Sequence, residues 1–210
     1  MPGLVIKKIP GKNNIGIKVS FIPAFKIGIW NAWIFMIVFL IQMPAIMFAD
    51  KRIRERSHVP MEARQNKLER YAGIVSNFTW LLAMGYSVFL PLQPGTIWFY
   101  SGLSVFIIGL ILMVTATFSF ITTPAHLLIK KGVYQFSRHP MYLATFLICL
   151  GSGIAAASWL FIFFSVILAL CFHQEALIEE RFCLEKFGSD YREYLNRVPR
   201  WLGVTVFSSS

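Results

Sequence analysis

The side chains best suited to chemistry lie in the last third of the chain, in two clusters on either side of an apolar run. The first cluster falls within residues 126–142 and contains His126, Tyr134, Arg138, His139 and Tyr142. The second follows the apolar run 143–173 and contains Glu175, Glu179 and Glu180. Ionisable side chains at the edge of a membrane are costly, so their presence beside an apolar run suggests a site.

The first cluster has two interpretations that the residues leave about equally supported. Arginine and tyrosine are favoured at a membrane interface, and Pro140 suits the first position of a helix. Interfacial anchoring would therefore explain Tyr134 and Tyr142. It explains His139 poorly, because histidine gains little from the interface, and a binding site would account for that residue better.

The acidic cluster also has two interpretations. Glu175 and Glu179 are one helical turn apart and share a face, whereas Glu180 points about 100° away, towards an apolar stripe. A carboxylate on an apolar stripe needs a partner. The cluster is either the solvated face of an amphipathic helix or a carboxylate site that binds a cation at the membrane surface.

The elements that must position these residues are predicted to be membrane helices. The chain is 56% hydrophobic and 14% charged, which excludes an ordinary soluble domain. Runs 27–49, 71–91 and 96–123 contain no charge and match the roughly 20 residues of a membrane span. Run 143–173 suits two helices joined by a turn at 151–153 and Ser158. We predict an all-α integral membrane protein with about five transmembrane helices, the last two a hairpin, and a cytoplasmic C-terminal helix.

The formal net charge of +10 is explained by topology. Lysine and arginine concentrate in loops 50–70 and 122–142 and in the C-terminal segment, which predicts that these parts face the cytoplasm. Attraction to anionic lipid adds to this bias, and no nucleic-acid partner is predicted. The N-terminal tail disagrees, because its five lysines would lie on the opposite side.

Four regions are predicted along the chain. A basic tail over 1–26 precedes membrane helices over 27–121, and a short tail over 202–210 ends the chain. Between them, 122–201 forms a loop, a helical hairpin and a C-terminal helix. That helix, predicted over 174–196, should break at Gly188 and pack back through a stripe of large side chains, Leu177, Leu184, Phe187 and Tyr191.

Two apparent motifs carry no chemistry. The pattern G-x-G-x-x-A over 151–156 matches a dinucleotide fingerprint but lies inside an apolar run with no strand before it, so a hairpin turn and close helix packing are predicted instead. The cysteines form no C-x-x-C pair, and His126 and His139 have no acid or cysteine near them in sequence. No disulfide and no metal site are predicted.

A longer pattern joins the two clusters. It runs G-x-Y-x-x-x-R-H-P-x-Y, a helical hairpin, E-E, F-G-x-x-Y-x-x-Y and V-P-R, over roughly residues 119–201. This pattern resembles the isoprenylcysteine carboxyl methyltransferase family, whose overall plan the phospholipid methyltransferases share. The resemblance implies that 122–201 is the core of an integral-membrane methyltransferase that uses S-adenosylmethionine.

Carried over position by position, the resemblance implies a set of cofactor residues: His126, Leu127, Leu128, Ile129, Tyr134, His139, Pro140, Met141, Tyr142 and Glu179. It selects Glu179 where helix geometry alone points to Glu180. Arg138, His139 and Glu180 are predicted to act in catalysis. Glu175 stands where the prenylcysteine enzymes have an arginine, so it is predicted to bind substrate and to favour an amine over a carboxylate.

The chemistry of the cofactor suits these residue types. A glutamate matches its ammonium, and the basic groups around Arg138 match its carboxylate through charge-assisted hydrogen bonds. Tyr134 and the aliphatic residues 127–129 offer a surface for adenine, and aromatic rings attract a sulfonium. Methyl transfer depends mainly on alignment, so no metal is needed.

The leading hypothesis is therefore a methyltransferase acting on a lipophilic acceptor, namely a phospholipid amine, a prenylcysteine-like carboxylate or a small thiol. Membrane sterol reductases resemble the same C-terminal plan, which keeps an NADPH-dependent reductase as an alternative. A non-catalytic membrane module, in which the loop only anchors the chain, is the third. The oligomeric state stays open.

Overall fold

The computed structural model describes residues 26–48, 51, 64–124 and 126–203. Within these ranges the ordered elements are helical, apart from isolated bridge positions such as the pair Asn31 and Pro91. The predicted all-α class is therefore confirmed for the described residues. The α-helices are α1 Trp33–Met47, α2 Lys67–Ser87, α3 Ile97–Thr122, α4 Pro140–Ala155, α5 Trp159–Phe187 and α6 Ser189–Arg197, with a short 3₁₀ helix Gly132–Gln135 between α3 and α4.

Local capping chemistry starts most of these helices where the apolar runs begin. Thr96 accepts a hydrogen bond from a backbone N–H in the first turn of α3, and Ser158 does the same for α5. Asn66 caps α2 in the same manner. Pro140 occupies the first position of α4, as predicted from its fixed φ.

Helix α1 is shorter than the apolar run that contains it. The side-chain amide of Asn31 donates to the carbonyls of Lys26 (2.5 Å) and Val88 (2.7 Å), and Ala32 N–H donates to Leu90 (2.8 Å). These contacts hold the residues before α1 against the connection between α2 and α3. The helix therefore has 15 residues, fewer than the roughly 20 of a straight membrane span.

The hairpin turn lies later than predicted. Gly151 and Gly153 are inside α4, and the chain turns at residues 156–158, so the prediction of a turn at 151–153 is wrong while Ser158 is correct. The glycines serve close packing instead. A Cβ added to Gly102 of α3 would lie 2.2 Å from the backbone nitrogen of Ala155 in α4. Small residues thus bring these two backbones together, as at other membrane helix contacts.

The core lies between α1, α3, α4 and α5. Its largest buried side chains include Phe35, Met36, Met113, Ile148, Phe161 and Leu168. Large apolar side chains also cover the outer faces of the helices, among them Leu40, Ile108, Ile111, Val114 and Leu170. Helices α3 and α5 are long and apolar enough to cross a membrane, yet only 28% and 39% of their most apolar segments are buried in the protein. Exposed apolar surface of this kind is typical of a membrane protein.

The two charge-free connections lie at the same end of the bundle. Gln93 N–H, between α2 and α3, donates to Ala155 at the end of α4 (3.1 Å). Trp30 accepts from Leu92 (3.0 Å), so the chain before α1 lies at this end too. Most of the predicted basic tail and of the polar helical loop 51–70 falls outside the described residues.

Helix α5 continues through the acidic cluster without a break. It ends at Phe187, because Gly188 adopts a positive φ of 55° that glycine tolerates best, and α6 begins at Ser189. The break at Gly188 is confirmed, but the predicted separate helix over 174–196 is the end of α5 followed by α6. Part of the predicted stripe packs as expected, with Leu184, Phe187 and Tyr191 in one apolar cluster.

Candidate active site

A cavity of about 290 Å³ lies between the loop before α4, the end of α5 and α6. Its volume is near the lower end of small-molecule sites, which range over roughly 300–1,000 Å³. Most of the site residues predicted from the sequence line this cavity: Leu127, Leu128, Ile129, Tyr134, Arg138, His139, Pro140, Met141, Tyr142 and Glu179. The fold thus brings the loop cluster, except His126, and one member of the acidic cluster to a single cavity.

Three predicted site residues are absent from the cavity lining. His126 is exposed at the start of the loop, and its cofactor role stays a prediction. Glu180 lies behind the lining, and Glu175 is directed towards α2.

The sequence missed several lining residues. On α5 these are Phe182, Cys183 and Lys186, which follow Glu179 at helical spacing and share its face. That spacing was the signal that could have identified them. Phe187, the last residue of α5, also lines the cavity, and the remainder come from other elements: Ile46, Phe120, Tyr191 and Tyr194.

His139 joins the two carboxylates at the end of α5. Its Nδ1 lies 3.2 Å from Glu179 Oε2, and its Nε2 lies 3.2 Å from Glu180 Oε1. Burial of the imidazole opposes its charged form, but the hydrogen bonds and charges of the two glutamates outweigh burial and raise the pKa of His139. The arrangement favours an imidazolium that donates to both acids.

Glu180 is the most heavily paired carboxylate of the site. Arg200 donates to both of its oxygens, Nε to Oε1 and Nη2 to Oε2, each at 2.8 Å. Arg138 Nη2 lies 3.3 Å from Oε1, next to the contact with His139. Glu180 therefore has the partners that its position on an apolar stripe requires. One of them is Arg200, which sequence analysis did not assign to the site.

Glu179 is the accessible carboxylate. Its Oε1 accepts a short hydrogen bond from the phenol of Tyr142, and its Oε2 faces His139. Its side chain is 31% exposed, against 9% for Glu180. Because each carboxylate oxygen can accept two hydrogen bonds, Glu179 keeps acceptor capacity towards the cavity.

Stacked rings form one wall of the site. The His139 ring lies parallel to Tyr142 at 5.7 Å, and Tyr142 stacks on Phe172 at 4.8 Å. Trp201 lies 6.3 Å from His139 on another side. Four rings in contact restrict the rotamers of His139 and Tyr142, so the donors to Glu179 are held in place.

Arg138 has an unused donor. It lines the cavity, its side chain is 10% exposed, and its Nη2 faces Glu180. Its Nε is buried and has no hydrogen-bond partner within the described part of the chain. A buried donor without a partner is costly, which makes it a natural place for an anionic ligand group.

Glu175 belongs to a different contact. Arg64 donates to both of its oxygens (2.9 and 2.8 Å) and also to the carbonyl of Glu69 (2.7 Å). Arg181 of α5 donates to both oxygens of Glu69 in turn (2.9 and 2.8 Å). The prediction that Glu175 binds substrate depended on its negative charge. In the structure that charge is paired with Arg64, which precedes α2.

Part of the chain is similar to known proteins. Residues 97–190 match the family model described as phospholipid methyltransferase. The chain is 36% identical over 74 residues to protein-S-isoprenylcysteine O-methyltransferase of Saccharomyces cerevisiae, and 33% identical over 75 residues to the protein of that name in Schizosaccharomyces pombe. These matches cover 35% of this chain.

The matched region spans 31% of the length of the first relative and 32% of the second. The family-model match lies in the part of the chain that builds the cavity, since residues 97–190 contain α3, α4, α5 and the loop with His139. The motif pattern, the helical hairpin and these matches point to one family. Over residues 97–190 the chain is similar to the phospholipid methyltransferases, and over 35% of its length it is similar to the isoprenylcysteine methyltransferases.

Proposed function

We propose that this protein is a membrane methyltransferase that binds S-adenosylmethionine in the cavity and methylates a lipophilic acceptor. The observation that carries the proposal is Glu179, a partly exposed carboxylate that lines the cavity. Its two oxygens contact Tyr142 and His139, which fix its orientation. A carboxylate fixed in this manner suits the ammonium group of the cofactor.

The other walls of the cavity fit the remaining parts of the cofactor. The partnerless Nε of Arg138 suits its carboxylate, because an ionised acceptor would satisfy a buried donor. Leu127, Ile129 and Tyr134 supply an apolar and aromatic surface for adenine. The residues present therefore fit the ammonium, the carboxylate and the adenine of S-adenosylmethionine.

When bound, the cofactor supplies a methyl group activated by a sulfonium. The protein's own contribution is to bind, orient and exclude water. Tyr142 presents an aromatic ring beside the cavity, where it attracts positive charge. His139 has both ring nitrogens against carboxylates, so we assign it a positioning role rather than that of a proton acceptor.

The proposed acceptor reaches the cavity from the bilayer. Exposed apolar faces on α1 and α3 support access for a lipophilic molecule, and Ile46 and Phe120 of these helices line the cavity. The classes proposed are a phospholipid amine, a prenylcysteine-like carboxylate and a small thiol. Incubation with methyl-labelled cofactor and total membrane extract separates them, because label would enter lipid, protein or a small thiol respectively.

The proposed topology has five helices crossing the membrane, with the basic loops and the C-terminus in the cytoplasm. The charge-free connections at one end of the bundle support it, as does the lysine and arginine content of loop 122–142 at the other. A water-soluble cofactor would then enter the cavity from the cytoplasmic side.

Calorimetric titration of S-adenosylmethionine in detergent tests the function. We expect the wild type to bind and Glu179→Gln to bind about tenfold or more weakly, because a charge-assisted hydrogen bond is lost. Glu193→Gln is the matched control, since Glu193 is an exposed glutamate paired with Arg197 on α6. Absence of binding by the wild type, equal affinity of Glu179→Gln, or binding of NADPH in its place would contradict the proposal.

A further inference from the structure

We infer that Arg200 is a positioning residue of the cofactor site, which fixes Glu180 and, through Glu180 and His139, the carboxylate of Glu179. The inference rests on the proposed function, since the affinity that Arg200 would influence is the affinity for S-adenosylmethionine. Arg200 lies beyond α6, outside the residues that match the family model and outside the cavity lining.

The contact between Arg200 and Glu180 is suited to this task. The planar guanidinium donates two parallel hydrogen bonds to the two oxygens of Glu180, each at 2.8 Å. A bidentate pair of this kind fixes orientation as well as distance. The Glu180 side chain is 9% exposed and that of Arg200 is 24% exposed, so water screens the pair only in part.

The backbone around Arg200 is fastened to the loop that carries His139. Arg138 N–H donates to the carbonyl of Pro199 (3.1 Å), and the Ser137 hydroxyl donates to the carbonyl of Arg200 (3.1 Å). The same Ser137 oxygen accepts from His139 N–H (3.2 Å). The position of Arg200 is therefore set by the same loop residues that set the start of α4.

Glu180 transmits this position to the cavity. Its Oε1 forms hydrogen bonds with both Arg200 Nε and His139 Nε2. The orientation of the carboxylate therefore determines the orientation of the imidazole. The opposite ring nitrogen of His139 then faces Glu179 at 3.2 Å. Without Arg200, Glu180 would keep its contacts with Arg138 and His139. It would lose the bidentate hydrogen bonds of the guanidinium, which prevent the carboxylate from rotating.

A double-mutant cycle on cofactor affinity tests the inference, with dissociation constants measured by calorimetry in detergent. We expect Arg200→Gln to weaken binding of S-adenosylmethionine about tenfold, as for loss of a charge-assisted contact. In a Glu180→Gln background the same substitution should change affinity less than about twofold, because the carboxylate through which Arg200 acts is already absent. In turnover assays, the KM for the cofactor should rise while kcat changes little.

Two further variants separate positioning from simple support of the fold. Arg197→Gln removes an exposed ion pair with Glu193 from the neighbouring turn of α6 and should leave affinity unchanged. Arg200→Lys keeps the charge without the fork, so it should restore part of the lost affinity. It also carries the test if Arg200→Gln does not fold, with affinity expected below that of the wild type.

The outcomes distinguish this inference from the proposed function. If the wild type and Arg200→Gln bind equally well while Glu179→Gln binds weakly, the role of Arg200 is overturned and the function stands. A lower melting temperature with unchanged affinity, or additive losses in the double mutant, would likewise overturn it. If the wild type does not bind S-adenosylmethionine, both proposals fall.

Discussion

His139 is held between two carboxylates, and this contact makes stability depend on pH. The pKa of His139 is raised above its ordinary value, so the folded protein binds this proton more tightly than the unfolded chain does. Its stabilising contribution is complete below the unfolded pKa, about 6.5, and is lost as pH rises through the folded pKa.

We therefore expect the melting temperature of the wild type in detergent to fall relative to His139→Gln as pH rises from about 6 to 9. His126→Gln is the control, because His126 is exposed and its replacement should leave the pH profile of the wild type intact. Identical pH profiles for the wild type and His139→Gln would contradict the assignment of a raised pKa.

For single residues, the sequence predicted which side chains belong to the site better than it predicted the contacts that they make. Helix geometry directed Glu180 towards an apolar surface that demands a partner, and it is buried with three cationic neighbours. The resemblance selected Glu179, the glutamate that lines the cavity. Arg200 belongs to the V-P-R of the sequence pattern, but its pairing with Glu180 was not predicted, because periodicity relates neighbours on one helix and Gly188 and α6 separate the two residues.

The pairing of α3 with α4 depends on glycines that leave no space between backbones. A Cβ on Gly102 would lie 2.2 Å from the backbone nitrogen of Ala155, and the backbone of α4 cannot rotate away as a side chain would. We expect Gly102→Ala to lower the free energy of unfolding by about 1–3 kcal/mol or more, measured by thermal unfolding in detergent.

Gly85→Ala is the matched control on α2. A Cβ there meets no atom within 4 Å, and alanine is the better helix former by about 1 kcal/mol, so this change should be neutral or stabilising. Equal melting temperatures for the two alanine variants would show that the helices separate without cost.

The helices themselves were largely predictable, because their causes are local. Apolar runs and the caps Thr96 and Ser158 set where α3 and α5 begin. The turn at 151–153 was assigned wrongly because glycine in an apolar helix also serves close packing. The late start of α1 arises from Asn31, whose contacts with the chain before α3 lie far away in sequence.

The two ends of the bundle differ in charge, which makes topology testable. With Cys183 replaced by serine, we would introduce single cysteines at Gln93 and at Lys131 and add a membrane-impermeant maleimide to sealed vesicles whose cytoplasmic face is outward. Lys131→Cys should be labelled at once, since loop 122–142 is predicted to be cytoplasmic. Gln93→Cys should be labelled only after detergent opens the vesicles.

Labelling of both cysteines in sealed vesicles would contradict the proposed orientation and the number of crossings between the two positions. The buried cysteines Cys149 and Cys171 provide the background value, which should be low. Composition and charge bias alone indicated the membrane class and this orientation, because both follow from sums over many residues. The cavity required the fold, because its walls come from α1, α3, the loop before α4, α5 and α6.

The place of Arg200 in the chain has a consequence for biosynthesis. A ribosome adds Arg200 only after α1 to α6 have been made, so the proposed membrane helices α1 to α5 are synthesised before the contact of Arg200 with Glu180 can form. On the role inferred for Arg200, a nascent chain can be inserted and helical yet bind the cofactor poorly. On the same inference, tight binding begins only after synthesis has passed α6 and Arg200 can reach Glu180.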